Sequence, residues 1–143
     1  MVQEKKQTVL SGFEAYQGDR TLKTFSLAAM LFISTNAFAS QVSWYSAEAC
    51  KFNKVISCPT ASGKSLHQLI NDEVPYVAMW EIPFGTKIKF TNPKNGLSTV
   101  GIVFDRGPAR RLRRDADVSP IIFDRLGISR KQGLAQLEIE VMP

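Results

Sequence analysis

The segment Phe104-Asp105-Arg106-Gly107-Pro108 is the part of this sequence best suited to chemistry. Asp105 follows three apolar positions and precedes a Gly-Pro pair, so its carboxylate is predicted to emerge at the end of a β-strand on a rigid turn. A rigidly held carboxyl group is what acid catalysis requires. The same residues also fit a structural role, in which Asp105 caps the turn or pairs with Arg106. The segment alone leaves both interpretations open.

Cys50 and Cys58 are the two cysteines of the chain, and seven residues separate them. This spacing favours a short disulfide loop in a compartment that permits disulfides, with two free buried thiols as the alternative. We expect no metal, because two cysteines and the single His67 do not supply four ligands at a usual spacing. We expect no cofactor either.

The aromatic and basic residues are consistent with a polymeric ligand. Tyr45 and Trp80 are candidates for ring faces on which sugars stack, but Trp44 and Tyr45 alternate along a strand, so at most one of that pair faces a groove. The formal net charge of +5 favours anionic partners. For Arg106 we expect either pairing with Asp117 or contact with the polymer. The arginines that follow the Gly-Pro turn are predicted to form a solvated cluster.

Residues 1–39 have the pattern of a removable secretory signal. Arg20 and Lys23 precede a nine-residue apolar run, 25–33, and Ala37-Phe38-Ala39 forms a small-x-small cleavage site. A membrane-spanning helix would need roughly 20 apolar residues. The alternative is a buried helix of the folded domain, and the polar stretch 1–19 is longer than most signals carry.

The predicted mature part, 40–143, is long enough for one domain with one core. We expect it to be periplasmic or secreted, soluble and monomeric, and nucleic acid is not an expected partner for an exported protein. No cysteine follows Ala39 directly, the first being Cys50, so we expect no lipid anchor.

Hydrophobic periodicity predicts a mainly β domain. Four runs have the alternation or β-branched enrichment of strands: 41–45, 87–91, 98–104 and 136–141. Asn95-Gly96 is a hairpin signal between the middle two. A helix is predicted to be capped by Ser119, to have Pro120 in its first turn and to end at Gly127. A weaker helical stretch covers 65–70. Short strands around one or two small helices suggest a compact barrel.

Six short motifs occur in the order seen in the rare lipoprotein A (RlpA-like) family. They are Ser43-Trp44-Tyr45, Thr60-Ala61-Ser62-Gly63, Pro83-Phe84-Gly85-Thr86, Asn95-Gly96, Asp105-Arg106-Gly107-Pro108 and Asp117-Val118-Ser119. Over 42–141 the sequence resembles this family, which is itself related to expansins and barwin-like domains. The resemblance implies a six-stranded double-psi β-barrel with one or two short helices.

The resemblance also implies a reaction, because the family includes lytic transglycosylases of peptidoglycan. These enzymes cleave between N-acetylmuramic acid and N-acetylglucosamine without water, and the C6 hydroxyl of the muramic acid attacks its own C1 to leave a 1,6-anhydro end. Since the substrate supplies the nucleophile, one carboxyl group can act as acid and then as base, unlike the paired carboxylates of most glycoside hydrolases. Asp105 matches the position of the catalytic aspartate. Asp117 is the expected second carboxylate beside it, which would help Asp105 to hold a proton near neutral pH.

The sequence departs from the pattern of active members at two positions. Lys64 stands where they have a glutamate, and Met79 or Trp80 stands where they have a histidine. Glu81 is a candidate substitute carboxylate. These departures favour an alternative function, a non-catalytic module that binds peptidoglycan through Trp80, Tyr45 and Lys64.

Overall fold

The computed structural model describes residues 39–48, 50 and 57–143. Within these ranges no helix is long and apolar enough to cross a membrane. The predicted signal, residues 1–39, lies outside the described residues apart from Ala39. Its removal therefore stays a prediction.

Six strands close into a barrel, in the order β1, β5, β2, β4, β3, β6 around its wall. They are β1 (Ser40–Trp44), β2 (Tyr76–Ala78), β3 (Lys87–Thr91), β4 (Ser98–Asp105), β5 (Ala116–Val118) and β6 (Leu134–Val141). The mainly β prediction is confirmed, and four of the six strands were predicted. The other two, β2 and β5, have three residues each, which is too short for a period of two to be recognised.

The strand pairing divides the barrel into two equivalent halves. The strand β1 pairs in parallel with β5, and β2 pairs in parallel with β4, whereas the other neighbours are antiparallel. Exchanging β1, β2 and β3 with β4, β5 and β6 leaves the set of pairs unchanged. It converts β1–β5 into β2–β4 and β1–β6 into β3–β4, and it maps β2–β5 and β3–β6 onto themselves. This is the double-psi arrangement that the resemblance implied. As a result, the C-terminal ends of β1 and β4 occupy equivalent positions in the barrel. Tyr45 directly follows the end of β1, and Asp105 is the last residue of β4.

The Asn95-Gly96 turn connects β3 and β4 as predicted, with Thr91 opposite Ser98. The N–H of Gly96 donates to the carbonyl of Asn92 at 2.8 Å, and Gly96 adopts a φ of 75°, a conformation that glycine reaches without steric cost. The side-chain amide of Asn95 donates to the carbonyl of Leu126 at 3.0 Å. The hairpin turn is thereby attached to the helix that follows β5.

That helix, α2 (Pro120–Arg125), packs Ile122 and Phe123 against the barrel interior. A side chain at Gly101 would meet Val77 at 2.5 Å and Ile122 at 2.9 Å. A glycine at this position therefore allows α2 and β2 to pack closely against β4. Ser119 occupies the N-cap position, but its side chain makes no capping hydrogen bond. The predicted start of the helix is confirmed, and the predicted capping bond is wrong.

A second, smaller apolar cluster covers the outside of the barrel beneath α1 (Leu66–Asn71). Leu66, Leu69 and Tyr76 are buried in it. The helix begins after Ser65, whose hydroxyl accepts the N–H of Gln68 at 3.5 Å. Cys50 and Cys58 form a disulfide with their Cα atoms 5.7 Å apart, and the bond connects the chain after β1 to the loop before α1.

Candidate functional site

Asp105 is the last residue of β4 and is half-buried. Its Oδ1 accepts the N–H of Ala61 at 2.8 Å and the N–H of Arg106 at 2.9 Å. Its Oδ2 accepts the hydroxyl of Tyr45 at 3.0 Å. These three donors hold the carboxylate in one orientation at the strand end, where the sequence predicted it.

The donor at Ala61 belongs to a tight turn, 60–64, that is attached to the end of β4. Thr60 closes the turn, because its N–H donates to the carbonyl of Lys64 at 2.8 Å and its hydroxyl donates to the same oxygen at 2.9 Å. The N–H of Ser62 donates to the carbonyl of Phe104 at 3.0 Å. The turn therefore meets both the backbone of β4 and the carboxylate that follows it.

Tyr45 is fixed between Asp105 and the small apolar cluster. Its ring meets that of Tyr76 edge to face, with centroids 5.1 Å apart, and the hydroxyl of Tyr76 donates to the carbonyl of Tyr45 at 2.8 Å. Burial, and then the charge of Asp105, raise the pKa of Tyr45 above its usual range. At neutral pH the phenol is protonated and donates to Asp105.

Trp44 takes the opposite side of β1 from Tyr45. It packs against the barrel core, and its indole N–H donates to the carbonyl of Arg130 at 2.8 Å. Tyr76 is only 1% exposed, so its ring is closed to a sugar. Of these three aromatic residues, Tyr45 is the one beside Asp105.

Asp117 lies two strands away from Asp105. Ala78 of β2 stands opposite both residues in the sheet register, so their backbones are separated by two strand spacings, roughly 10 Å. Ser43 donates its hydroxyl to Oδ1 of Asp117, and Nε of Arg114 lies 3.3 Å from the same oxygen. Asp117 is thus paired with a cation and does not sit beside Asp105 as an unpaired second carboxylate.

Arg106 does not pair with Asp117, and that part of the prediction is wrong. Its guanidinium lies over the ring of Phe84, 3.7 Å from the centroid, and donates to the carbonyl of Met79 at 3.1 Å. Arg114 takes the predicted place because it is three residues from Asp117 in the same chain segment. The residues of greatest interest that sequence reasoning missed are Ala61, whose contribution is a backbone N–H, and Arg114.

Trp80 and Glu81 lie on the exposed side of the loop that follows Asp105 and contains Pro108 and Arg110. Trp80 is 40% exposed, and its indole N–H donates to the carbonyl of Pro108 at 2.6 Å. Arg110 lies over its ring at 5.0 Å and 3.6 Å from a carboxylate oxygen of Glu81. Glu81 is therefore engaged with Arg110, and the prediction that it substitutes as a second carboxylate gains no support.

The two positions that depart from active RlpA-like proteins both lie near Asp105. The N–H of Met79 donates to the backbone carbonyl of Asp105 at 3.3 Å. The exposed Lys64 places its ammonium 5.3 Å from the centroid of the Phe104 ring, in the residue before Asp105. Over the described ranges, no basic side chain forms an ion pair with Asp105.

Metal chemistry has no candidate in the part of the chain that the structure describes. No group of three or more His, Cys, Asp or Glu side chains is placed to hold an ion there. The site consists of one oriented carboxylate, one phenol and backbone donors, and this arrangement can exchange a proton with a bound hydroxyl or ether oxygen.

Comparison with known proteins places this geometry in context. A probable endolytic peptidoglycan transglycosylase RlpA from Nostoc sp. strain PCC 7120 is 38% identical to the chain over 84 residues. Over these residues the chain is similar to RlpA. The resemblance inferred from the motifs is confirmed by this relative. The aligned stretch covers 59% of the chain and 21% of the relative, so the chain spans about a fifth of the length of the RlpA protein it matches.

Two further comparisons add less. No family model matches the chain. The crystal structure of cerato-platanin 3 from M. perniciosa superimposes with a TM-score of 0.49 and 12% identity, over 73% of this chain and 94% of that one. The assignment of the barrel rests on the strand pairing.

Proposed function

We propose that this protein acts on the glycan strands of peptidoglycan as a lytic transglycosylase, with Asp105 as acid and then base. The observation that carries the proposal is the carboxylate of Asp105, oriented by Ala61 and Tyr45 and free of any ion pair in the described ranges. The donors to this carboxylate are two backbone N–H groups and one phenol. No counter-ion among the described residues therefore has to be displaced before a substrate oxygen can reach it.

The proposed reaction balances around this one group. Asp105 in its acid form protonates the glycosidic oxygen, and the bond from that oxygen to C1 of the muramic acid breaks. The C6 hydroxyl then bonds to C1 and gives its proton to the Asp105 carboxylate, which restores the acid. No water is consumed, and the products are a free hydroxyl on the leaving sugar and a 1,6-anhydro end.

Tyr45 is the proposed positioning residue for this cycle. Because burial raises its pKa, the phenol keeps its proton throughout. It donates to Oδ2 when Asp105 is a carboxylate, and its oxygen can accept from Oδ2 when Asp105 is protonated. The same contact therefore orients Asp105 in both states.

The RlpA relative supports the choice of substrate. Its name specifies endolytic peptidoglycan transglycosylase, and 38% identity over 84 residues makes a related ligand the simplest proposal. Export of residues 40–143 to the cell envelope, as a soluble monomer without a membrane anchor, belongs to the same proposal.

A non-catalytic binding module is the second candidate, and a different observation favours it. Lys64 and Met79 replace the two residues that accompany the aspartate in active RlpA-like proteins. Lys64 lies over the ring of Phe104, the residue before Asp105, and the N–H of Met79 donates to the carbonyl of Asp105. Trp80 and Phe84 are exposed beside it, 40% and 42% respectively. In this function Trp80, Tyr45 and Lys64 contact the glycan, and Asp105 accepts hydrogen bonds from it.

The test is product analysis of purified sacculi incubated with the protein, by mass spectrometry. We expect new 1,6-anhydro ends, and we expect Asp105→Asn to reduce their rate of formation by about 100-fold or more, since a positioned acid and base contributes on that order. Asp72→Asn, an exposed change outside the site, is the matched control and should retain full activity.

Absence of 1,6-anhydro products across mildly acidic to mildly alkaline pH would reject the enzymatic function. Co-sedimentation with sacculi that persists in such an inactive protein, and weakens in Trp80→Ala, would then establish the binding module.

A further inference from the structure

A cleft of 410 Å³ opens between α1 and the start of α2, away from Asp105. Tyr76 forms part of its wall, but Asp105, Ala61 and Tyr45 do not line it. The Tyr45–Tyr76 pair separates the two places, because Tyr45 turns toward Asp105 and Tyr76 borders the cleft. Its volume lies within the range of pockets that bind small molecules, roughly 300–1,000 Å³.

The charge of the cleft is opposite to that of the chain. Three acidic side chains, Glu48, Glu73 and Asp124, line it together with one basic side chain, Arg130. The chain as a whole carries a formal net charge of +5. A ligand that is complementary to this local surface carries a positive charge.

The one arginine of the cleft is already engaged. Its Nε donates to Oδ1 of Asp124 at 2.9 Å and its Nη2 contacts Oδ2. This hydrogen bonding lowers the pKa of Asp124, so the Asp124–Arg130 pair stays ionised and is neutral as a unit. Glu48 and Glu73 are exposed, and neither forms an ion pair with another described residue. Among the described residues, no cation neutralises these two carboxylates.

The rest of the lining combines aliphatic surface with one unsatisfied polar group. Leu69, Ile70, Val74 and Ile121 line the cleft, and Ile70 is 37% exposed. Ser119 also lines it. Its residue is 2% exposed, and its hydroxyl has no hydrogen-bond partner among the described residues. A buried polar group without a partner is uncommon and calls for an explanation such as an absent ligand or water.

We infer that this cleft binds a peptide segment whose aliphatic side chain ends in a primary ammonium group. The aliphatic stem lies along the apolar wall, and the ammonium group meets Glu48 and Glu73. This inference rests on the proposed function for its biological ligand, the amine-bearing peptide substituents of peptidoglycan. The chemistry of the cleft itself is independent of catalysis.

The test is a titration of the ¹⁵N-labelled protein, followed by NMR, with the dipeptide Nα-acetyl-lysyl-alanine amide. Its Nε-acetylated form has a similar shape without the charge and serves as the ligand control. We expect saturable shifts of backbone amides in 69–74 and 119–124, and about fivefold weaker binding of the acetylated form. Glu48→Gln and Glu73→Gln should each weaken binding of the charged peptide by up to about fivefold, as for exposed charge pairs.

Glu138→Gln on β6, outside the cleft, is the protein control and should leave binding unchanged. Equal binding of the two peptides, shifts confined to other segments, or no shifts at all would each overturn the inference. The two glutamate variants are tested separately as well as together, so that a folding defect in one leaves the other informative.

A second measurement separates this inference from the enzymatic proposal. If both hold, Glu48→Gln/Glu73→Gln should release fewer 1,6-anhydro products from sacculi that retain peptides and the same amount from peptide-free glycan. If the protein is not an enzyme, the peptide titration still decides whether the cleft binds an amine.

Discussion

Asp105 of β4 and Asp117 of β5 flank the same residue, Ala78 of β2, yet their surroundings differ. Asp105 is held by two backbone N–H groups and a phenol. Asp117 is held by the hydroxyl of Ser43 and by Arg114. An arginine is paired with Asp117, whereas neutral donors orient Asp105 and no basic side chain among the described residues forms an ion pair with it. The identity of the donors thus separates a candidate catalytic group from a structural one.

The largest stability effect in this comparison is expected for Asp117→Asn. Asp117 and Arg114 are 15% and 22% exposed, so loss of the carboxylate leaves a largely buried cation without its partner. We expect the free energy of unfolding in urea to fall by about 2 kcal/mol. Adding Arg114→Met should recover part of that loss, because both charges are then gone. A loss no larger than that of Asp72→Asn would show that the pair is not structural.

A smaller effect, about 1 kcal/mol, is expected for Tyr45→Phe, which removes one hydrogen bond to Asp105 and keeps the ring against Tyr76. If the proposed function holds, the rate of anhydro product formation should fall by about tenfold, as Asp105 loses one of its orienting donors. Circular dichroism should show an unchanged fold. A variant with normal activity would remove Tyr45 from the site.

The dependence of the unfolding free energy on alkaline pH provides a separate prediction for Tyr45. Its pKa in the folded protein is raised above the ordinary value of 10.0, so above that pH the unfolded chain releases a proton that the folded chain retains. The unfolding free energy of the wild type should therefore decline as pH rises past about 10. Tyr45→Phe should decline less steeply, with Tyr76, whose pKa is also raised by burial, still contributing. Parallel curves for the two proteins would contradict this.

The smallest effect is expected at Glu81, the third carboxylate near this end of the barrel. Its pair with Arg110 is 3.6 Å long, and the two side chains are 81% and 71% exposed. Solvent screens such pairs, so Glu81→Gln should change the melting temperature by an amount near the error of measurement. A loss comparable to that of Asp117→Asn would mean that Glu81 takes a structural role that its exposure does not indicate.

The sequence predicts those features whose residues lie close together along the chain. The β3–β4 hairpin was predictable because its turn residues and both strands are contiguous, and Asp105 was placed because a strand and a Gly-Pro turn surround it. Its partners were not predictable, since Tyr45 and Ala61 are 60 and 44 residues away in sequence. Only closure of the barrel brings them together.

Of the two expectations for Arg106, the pairing with Asp117 is wrong for a similar reason. A charge pair with Asp117 was plausible from residue type, but the ring of Phe84 lies under the Arg106 guanidinium. Arg114, in contrast, lies two residues before the start of the strand that contains Asp117. The choice between two arginines depends on loop geometry that spacing does not specify.

The disulfide affects the compartment in which the Asp105 site can be complete. Cys58 lies three residues before Ala61, so the covalent bond to Cys50 anchors the segment that delivers a backbone donor to Asp105. Such bonds persist in oxidising compartments and are rare in the cytosol. A chain held in a reducing compartment would contain the same aspartate with its loop untethered. The Asp105 site would then be complete in an oxidising compartment but not in the reducing compartment where the chain is synthesised.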